Sequence, residues 1–280
     1  MKKTLKYIRL LIPFIYYLLV FILVALLNII VNNLYTIFFN SNINYDMFLE
    51  EQEFYLLIVN IIIIIIYYRW FKKLKKKENR IIIHKIFNIR NFGLILLLGF
   101  GLVFLVTGIM NLLLTFLSRY LPLYVSNYIN QSYFIAEGNF YILLISSVII
   151  TPIAEELVFR GVILNRSNNL LLFYVANIFQ SILFAMVHMN WIMFIYTLPL
   201  GLIYGYVYKR YQSIIPTIIL HVLNNAVAIL IEKYNYSAKE PVNVSITFLI
   251  SLVCIGVCLL LIYYYFIKRE ERRDSAKLST

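Results

Sequence analysis

The sequence predicts an all-α polytopic membrane protein, a bundle of about eight transmembrane helices, and three observations predict it. Of 280 residues, 62% are hydrophobic and only 14% charged, against about a quarter charged in a soluble domain. Apolar runs recur along the chain, each near the ~20 residues needed to cross a hydrocarbon core. The basic residues gather beside alternate ends of these runs, the pattern that sets topology in a bilayer. The net charge of +12 therefore points to membrane orientation, and no nucleic-acid partner is expected.

The elements follow in order. The first run, 10–39, comes after Lys2, Lys3, Lys6 and Arg9. It opens like a signal peptide, but it far exceeds an h-region of roughly 7–15 residues and no small-residue cleavage site closes it. A retained first span is expected. The second, 54–71, contains "NIIIIIIYY", which would favour a strand in water; in lipid an isolated strand leaves its backbone unpaired, so a helix is expected. Further spans are expected at 92–118, 139–166, 170–188, 190–208, 213–231 and 244–267. Pro122, Pro152, Pro199 and Pro216 mark ends or kinks. Cys254 and Cys258, four apart in the last run, read as small apolar side chains. No linker interrupts the chain, which divides into 1–138 (helices one to three and a basic connection), 139–231 (a functional core of helices four to seven) and 232–280 (a last helix and the polar tail "KREERRDSAKLST").

The 69–91 connection holds nine basic residues against one glutamate, Lys209 and Arg210 follow the sixth run, and Lys268, Arg269, Arg272 and Arg273 follow the eighth. The first connection is acidic, with Asp46, Glu50, Glu51 and Glu53. The positive-inside rule then places both termini in the cytoplasm, with the chain in the cell membrane. The amphipathic, basic 69–91 segment is a topology determinant, or else an interfacial helix on anionic lipid. His84 within it is expected to be interfacial and without a catalytic role.

Few ionisable groups remain inside the runs: Glu155, Glu156 and Arg160 on the fourth, His188 at the end of the fifth, and His221 on the seventh. A charge in mid-bilayer costs several kcal/mol by most scales, so each is a functional candidate. Glu156 and Arg160 are four apart and share a helix face, as do Phe184 with His188 and His221 with Asn225. A hairpin of the fourth and fifth runs turning near 171 sets Glu155 and His188 at similar height, roughly 24 Å from the turn. His221 should lie about 10 Å nearer the cytoplasm on the same rise. Chemically, a carboxylate facing a histidine in a dry cavity can activate water. A second histidine with an asparagine amide can hydrogen-bond an oxyanion, and Arg160 can brace Glu156. Alternatively Glu155, His188 and His221 hold one Zn2+ or similar divalent ion; with a purely glutamate-driven mechanism no cofactor is needed. Packing of helices without catalysis and a transporter's proton relay use the same residue types.

The motifs "EELVFRG", "FAMVH" and "HVLNN" resemble, in order and on the expected runs, the three motifs of the CPBP family, the CAAX-protease and bacteriocin-processing (Abi) group of intramembrane proteases. They fall on Glu155, Glu156 and Arg160, on Phe184 and His188, and on His221 and Asn225. The resemblance covers about 140–231. It implies an eight-helix bundle that hydrolyses a peptide bond of a membrane-associated peptide or protein. Water would be activated by Glu155 with His188, and the oxyanion held by His221 and Asn225. The family is often labelled metalloprotease, and a metal-free glutamate mechanism is also argued for it. Richness in Ile, Asn, Lys and Tyr suggests an AT-rich, bacterial genome, and hence processing of, or immunity to, a signal or bacteriocin-like peptide. A non-catalytic immunity protein and a proton-coupled transporter are the alternatives.

Overall fold

A computed structural model describes residues 7–39, 45–75, 89–137 and 139–238, with isolated positions between 249 and 263. Eight helices carry the fold and no strand occurs among the described residues. They are α1 (Ile12–Phe39), α2 (Tyr45–Lys75), α3 (Ile89–Tyr120), α4 (Pro122–Glu137), α5 (Phe140–Asn168), α6 (Phe173–Met186), α7 (Trp191–Tyr211) and α8 (Ile215–Ala238). Five of them, α1, α2, α3, α5 and α7, are long and apolar enough to cross a membrane. The chain is a multi-pass, all-α membrane protein. The expected eighth span at 244–267, Cys254, Cys258, His84 and the polar tail lie outside the described residues.

Two elements differ from expectation. Helix α4 falls in a stretch too polar to read as a span. Pro122 is its first residue, where the missing N–H costs no helical bond, and α4 packs on α3 and α8. Helix α6 has 14 residues, about 21 Å of rise, whereas a full span was expected at 170–188; His188 lies beyond its end.

Helix α5 is the axis of the bundle. Apart from Glu155, Glu156 and Arg160 its middle is apolar all round, and every residue from 154 to 164 is buried, as expected for a helix enclosed by neighbours. One apolar core joins it to α1, α2 and α6 through Tyr17, Ile63, Tyr67, Phe159 and Phe184. A second joins α3, α7 and α8 through Leu98, Leu102, Leu200, Tyr204 and Leu220. Helix α1 turns Leu23, Leu27 and Ile37 outward, a surface suited to lipid. It is tied to α2 by two buried or half-buried tyrosines: Tyr67 donates to the Pro13 carbonyl and Tyr55 to the Phe21 carbonyl at 3.1 Å.

The α7–α8 turn sets the register of the second core against the first. Gln212 caps α7 in the left-handed conformation, φ 52°. Ile214 then packs on Leu164, Ala176 and Tyr208, and Asn165 donates to the Tyr208 hydroxyl at 2.7 Å. The turn thus sits level with Leu164, short of the end of α5. Counting from there, His221 and Glu156 are at nearly equal height, about 10–12 Å from the turn. The 10 Å offset expected from sequence is closed by this inward placement of the turn.

Helices α6 and α7 approach closely because α7 presents Gly201 and Gly205. A Cβ added to Gly205 would fall 1.8 Å from Asn177 Oδ1 and 2.8 Å from its Cγ, and one on Gly201 3.0 Å from Ser181 Cβ. Asn177 cannot swing aside freely, since its Nδ2 donates to the Leu202 carbonyl at 2.9 Å and its Oδ1 accepts from Gln180 Nε2 at 2.8 Å. Gly205→Ala should therefore lower stability by roughly 1–3 kcal/mol, read as a lower thermal midpoint in detergent. Gly93→Ala, where an added Cβ meets nothing within 4 Å, should hold or raise the midpoint through helix propensity.

Candidate active site

The centre of α5 is irregular on both sides of the glutamates. Residues Leu144–Ile150 and Leu157–Leu164 form wide, π-helical turns around Thr151–Glu156. Pro152 supplies a reason for the first: it has no N–H, and its ring crowds the carbonyl one turn back. An inserted residue relaxes that crowding, and such bulges recur at functional sites. The Thr151 N–H bonds the Ser146 carbonyl, so the Ser147 carbonyl would fall to Pro152, which has nothing to donate. Asn225 Nδ2 on α8 takes that carbonyl at 2.9 Å. The proline of α5 thereby creates the acceptor that fixes Asn225.

The two glutamates have separate fates. Glu156 is fully buried, and its Oε1 receives Arg160 Nη1 at 2.7 Å and His221 Nδ1 at 3.0 Å. The side chain of Glu155 keeps 10% of its surface accessible, and its nearest partner is His221 Nε2, 3.6 Å from Oε2. That separation is too long for a hydrogen bond. His221 thus stands between both carboxylates with one ring nitrogen toward each. Glu156 is closed off, its Oε2 buried without a hydrogen-bond partner, and Glu155 is the carboxylate with an accessible edge.

Arg160 is 0% exposed. Beyond Glu156 it reaches the Gly201 carbonyl through Nη2 at 3.3 Å. Its guanidinium lies over the Phe184 ring at 4.4 Å and the Tyr204 ring at 5.2 Å, one ring from each apolar core. A desolvated cation on an aromatic face gains up to about 2 kcal/mol. Besides Arg160, Phe184 meets both histidines: its ring is 5.3 Å from that of His188, 5.7 Å from that of His221 and 5.2 Å from that of Phe159.

His188 occupies the turn after α6. Its Nδ1 lies 3.0 Å from the Phe184 carbonyl. A carbonyl can only accept, so Nδ1 carries the proton and Nε2 is the free acceptor. Met189, with φ 49°, turns the chain so that α7 can begin. No hydrogen bond or ion pair joins His188 to Glu155 in the structure.

The structure therefore brings Glu155, Glu156, Arg160, His221 and Phe184 together. His188 joins them through Phe184, and Asn225 lies one turn above His221 with its amide on Ser147. Sequence reading missed Tyr204, Gln180, Gly201 and the Ser147 carbonyl. The available signals were the polar residues Asn177, Gln180 and Ser181 in an apolar helix and the four-residue spacing of Gly201 and Gly205.

Residues 137–227 match the family model described as Type II CAAX prenyl endopeptidase Rce1-like. Over this stretch the chain is similar to the CPBP/CAAX intramembrane proteases, and the match supports that family. No curated protein and no solved structure matches the chain. The matched stretch runs from the start of α5 into α8, and so contains every site residue above. The family is one of endopeptidases, hydrolases of the peptide bond.

Among the described residues no three of His, Cys, Asp and Glu are grouped to hold an ion. Glu156 is engaged by Arg160, and His188 stands apart from the Glu155–His221 contact. As placed, Glu155, His188 and His221 do not fit a metal, and no step is drawn through one.

The brace and the free carboxylate should separate in stability measurements. Glu156→Ala leaves a buried guanidinium without its counter-charge and should cost on the order of 3–5 kcal/mol. Glu155→Ala removes only a 3.6 Å contact and should shift the thermal midpoint little.

Proposed function

We propose that the protein is an intramembrane endopeptidase of the cell membrane that hydrolyses a peptide bond of a membrane-associated peptide or protein by glutamate-activated water. The observation that carries this reading is the accessible Glu155 beside a fully buried neighbour whose Oε1 is shared by Arg160 and His221. Glu155 takes a proton from a water held also by His188 Nε2, and the water oxygen attacks the substrate carbonyl carbon. The oxyanion is met by the second N–H of the Asn225 amide and by His221 Nε2 when protonated. The C–N bond then breaks as the leaving nitrogen takes the proton from Glu155. General acid–base help of this kind is worth about 10²–10⁴-fold, and positioned donors at the oxyanion about 10²–10³-fold.

The catalytic unit is 139–231, with 1–138 and 232–280 as flanking membrane segments. Both termini face the cytoplasm. Supporting this, Arg166 donates to the Arg9 carbonyl at 3.2 Å and stacks on Trp70 at 5.3 Å, which gathers the basic ends of α1, α2 and α5. Lys209 lies over Phe173 at 4.1 Å at the facing ends of α7 and α6. The substrate is a signal or bacteriocin-like peptide, processed in a bacterial membrane.

Glu155→Ala, His188→Ala and His221→Ala should each lower substrate processing by about 100-fold or more, measured by mass spectrometry of membrane peptides from cells expressing each variant. Undiminished cleavage in all three would remove the reading. A shorter product separates a protease from an immunity protein, which leaves none, and from a transporter, which instead gives flux dependent on a pH gradient. Purified protein freed of metal by chelation should keep its activity; loss restored by a divalent ion would favour a metal mechanism.

A further inference from the structure

The polar cluster on α6, remote from the three motifs, converges on the same backbone atom as the active-site arginine. Gln180 is fully buried, and its Nε2 lies 3.0 Å from the Gly201 carbonyl, 2.8 Å from Asn177 Oδ1 and 2.8 Å from Ser181 Oγ. All three are placed to accept: one is a carbonyl, one is an amide oxygen whose nitrogen donates to the Leu202 carbonyl, and Ser181 Oγ spends its hydrogen on the Asn177 carbonyl at 2.7 Å. The Gln180 amide nitrogen has two hydrogens for these three acceptors, so one of them is shared; its Oε1 is buried without a hydrogen-bond partner, and the reverse orientation would set that oxygen against three acceptors. Arg160 Nη2 meets the same Gly201 carbonyl at 3.3 Å. A continuous chain of donors and acceptors then runs from Gln180 to the Gly201 carbonyl, Arg160, Glu156 and His221, ending 3.6 Å from Glu155.

We infer that Gln180 is a positioning residue of this site: through the Gly201 carbonyl it sets where Arg160 holds Glu156, and hence where His221 stands against Glu155. The inference deepens the proposed proteolytic function and rests on it only for its kinetic consequence. The physical need is clear. The Arg160 guanidinium is held by one carboxylate, one carbonyl and two ring faces, and the rings allow it to slide in their plane. The carbonyl is the contact that stops the slide, and it belongs to Gly201, which has no side chain of its own to pack against α6. Gln180 ties this turn to α6 at the residue where Arg160 needs it fixed. Packing alone would call for a small or apolar residue here, whereas a fully buried amide with three acceptors arranged around it is a constraint on geometry.

The test uses the full chain in detergent or nanodiscs with 15N-labelled histidine. Only three histidines, His84, His188 and His221, are present, so three imidazole signal sets are expected, assignable by single His→Gln variants. Gln180→Met keeps the volume and the straight chain but removes the donor, and Gln180→Asn keeps the amide but withdraws it from the carbonyl. In whichever variant keeps its thermal midpoint within a few degrees of wild type, the His221 Nδ1 signal should move while His84 does not. With a cleavable peptide, kcat should fall about tenfold at unchanged KM, as small displacements of catalytic groups do. An unchanged His221 signal, or a change in both variants confined to the midpoint, would overturn the positioning role. A moved His221 signal in a protein that cleaves no peptide would leave the positioning intact and overturn the proteolytic reading.

Discussion

The buried pair of Glu156 and Arg160 is the constraint on which the rest of the molecule depends. An arginine with no exposed surface in a chain that also faces lipid has no water to fall back on. The loss of hydration is several kcal/mol per ion and is recovered only where geometry and further hydrogen bonds are good. Here a carboxylate oxygen at 2.7 Å, a backbone carbonyl and two aromatic faces surround the cation. One ring belongs to the core of α1, α2, α5 and α6, the other to the core of α3, α7 and α8. The charged centre is therefore the seam between two apolar halves. Helix packing and active-site geometry are one problem with one solution.

Adjacent residues on a helix point about 100° apart, so Glu155 and Glu156 reach His221 at different ring nitrogens. The chain uses this to split one charge type into two roles. Through Oε1 Glu156 meets Arg160 and the Nδ1 of His221, while Glu155 meets only the far nitrogen of the same ring. A histidine between two carboxylates reports the position of each to the other. Asn225 is fixed independently, by a carbonyl that Pro152 cannot satisfy. A proline that weakens α5 as a helix thus strengthens its link to α8.

The sequence carried much of this outcome because buried charge in an apolar chain has few explanations. Glu155, Glu156, Arg160 and His221 stand out by being ionisable, and the structure gathers them; the i, i+4 spacing of Glu156 and Arg160 was enough to foresee their pairing. What failed was arithmetic along the membrane normal. Counting residues from the expected turn put His221 too low, since the α7–α8 turn is placed by Ile214 packing on Leu164, a tertiary contact that no local pattern encodes. Span 170–188 was read too long for a related reason. Its apolar run continues past Met186, but Asn190 caps the next helix by accepting from the N–H groups of Ile192 and Met193 at 2.9 and 3.3 Å, which forces a break before it. Gln180 and Tyr204 went unseen because an isolated polar atom in a span looks like any interhelical hydrogen bond until its partner is known.

The shortness of α6 explains how His188 can serve a site inside lipid without being on a helix. Irregular backbone is tolerated at membrane depth only where its polar groups are satisfied within the protein or line a cavity. The 187–190 turn meets that condition largely from its own atoms. The His188 N–H reaches the Ala185 carbonyl at 3.4 Å and that of Met189 the Met186 carbonyl at 3.1 Å, and the His188 imidazole takes the Phe184 carbonyl at 3.0 Å. The ring that might have capped nothing in a longer helix here closes the end of a short one. In doing so it spends Nδ1 on structure and leaves Nε2 unused by the helix end. Ending α6 early is what allows one histidine to cap its own helix while leaving a basic nitrogen free.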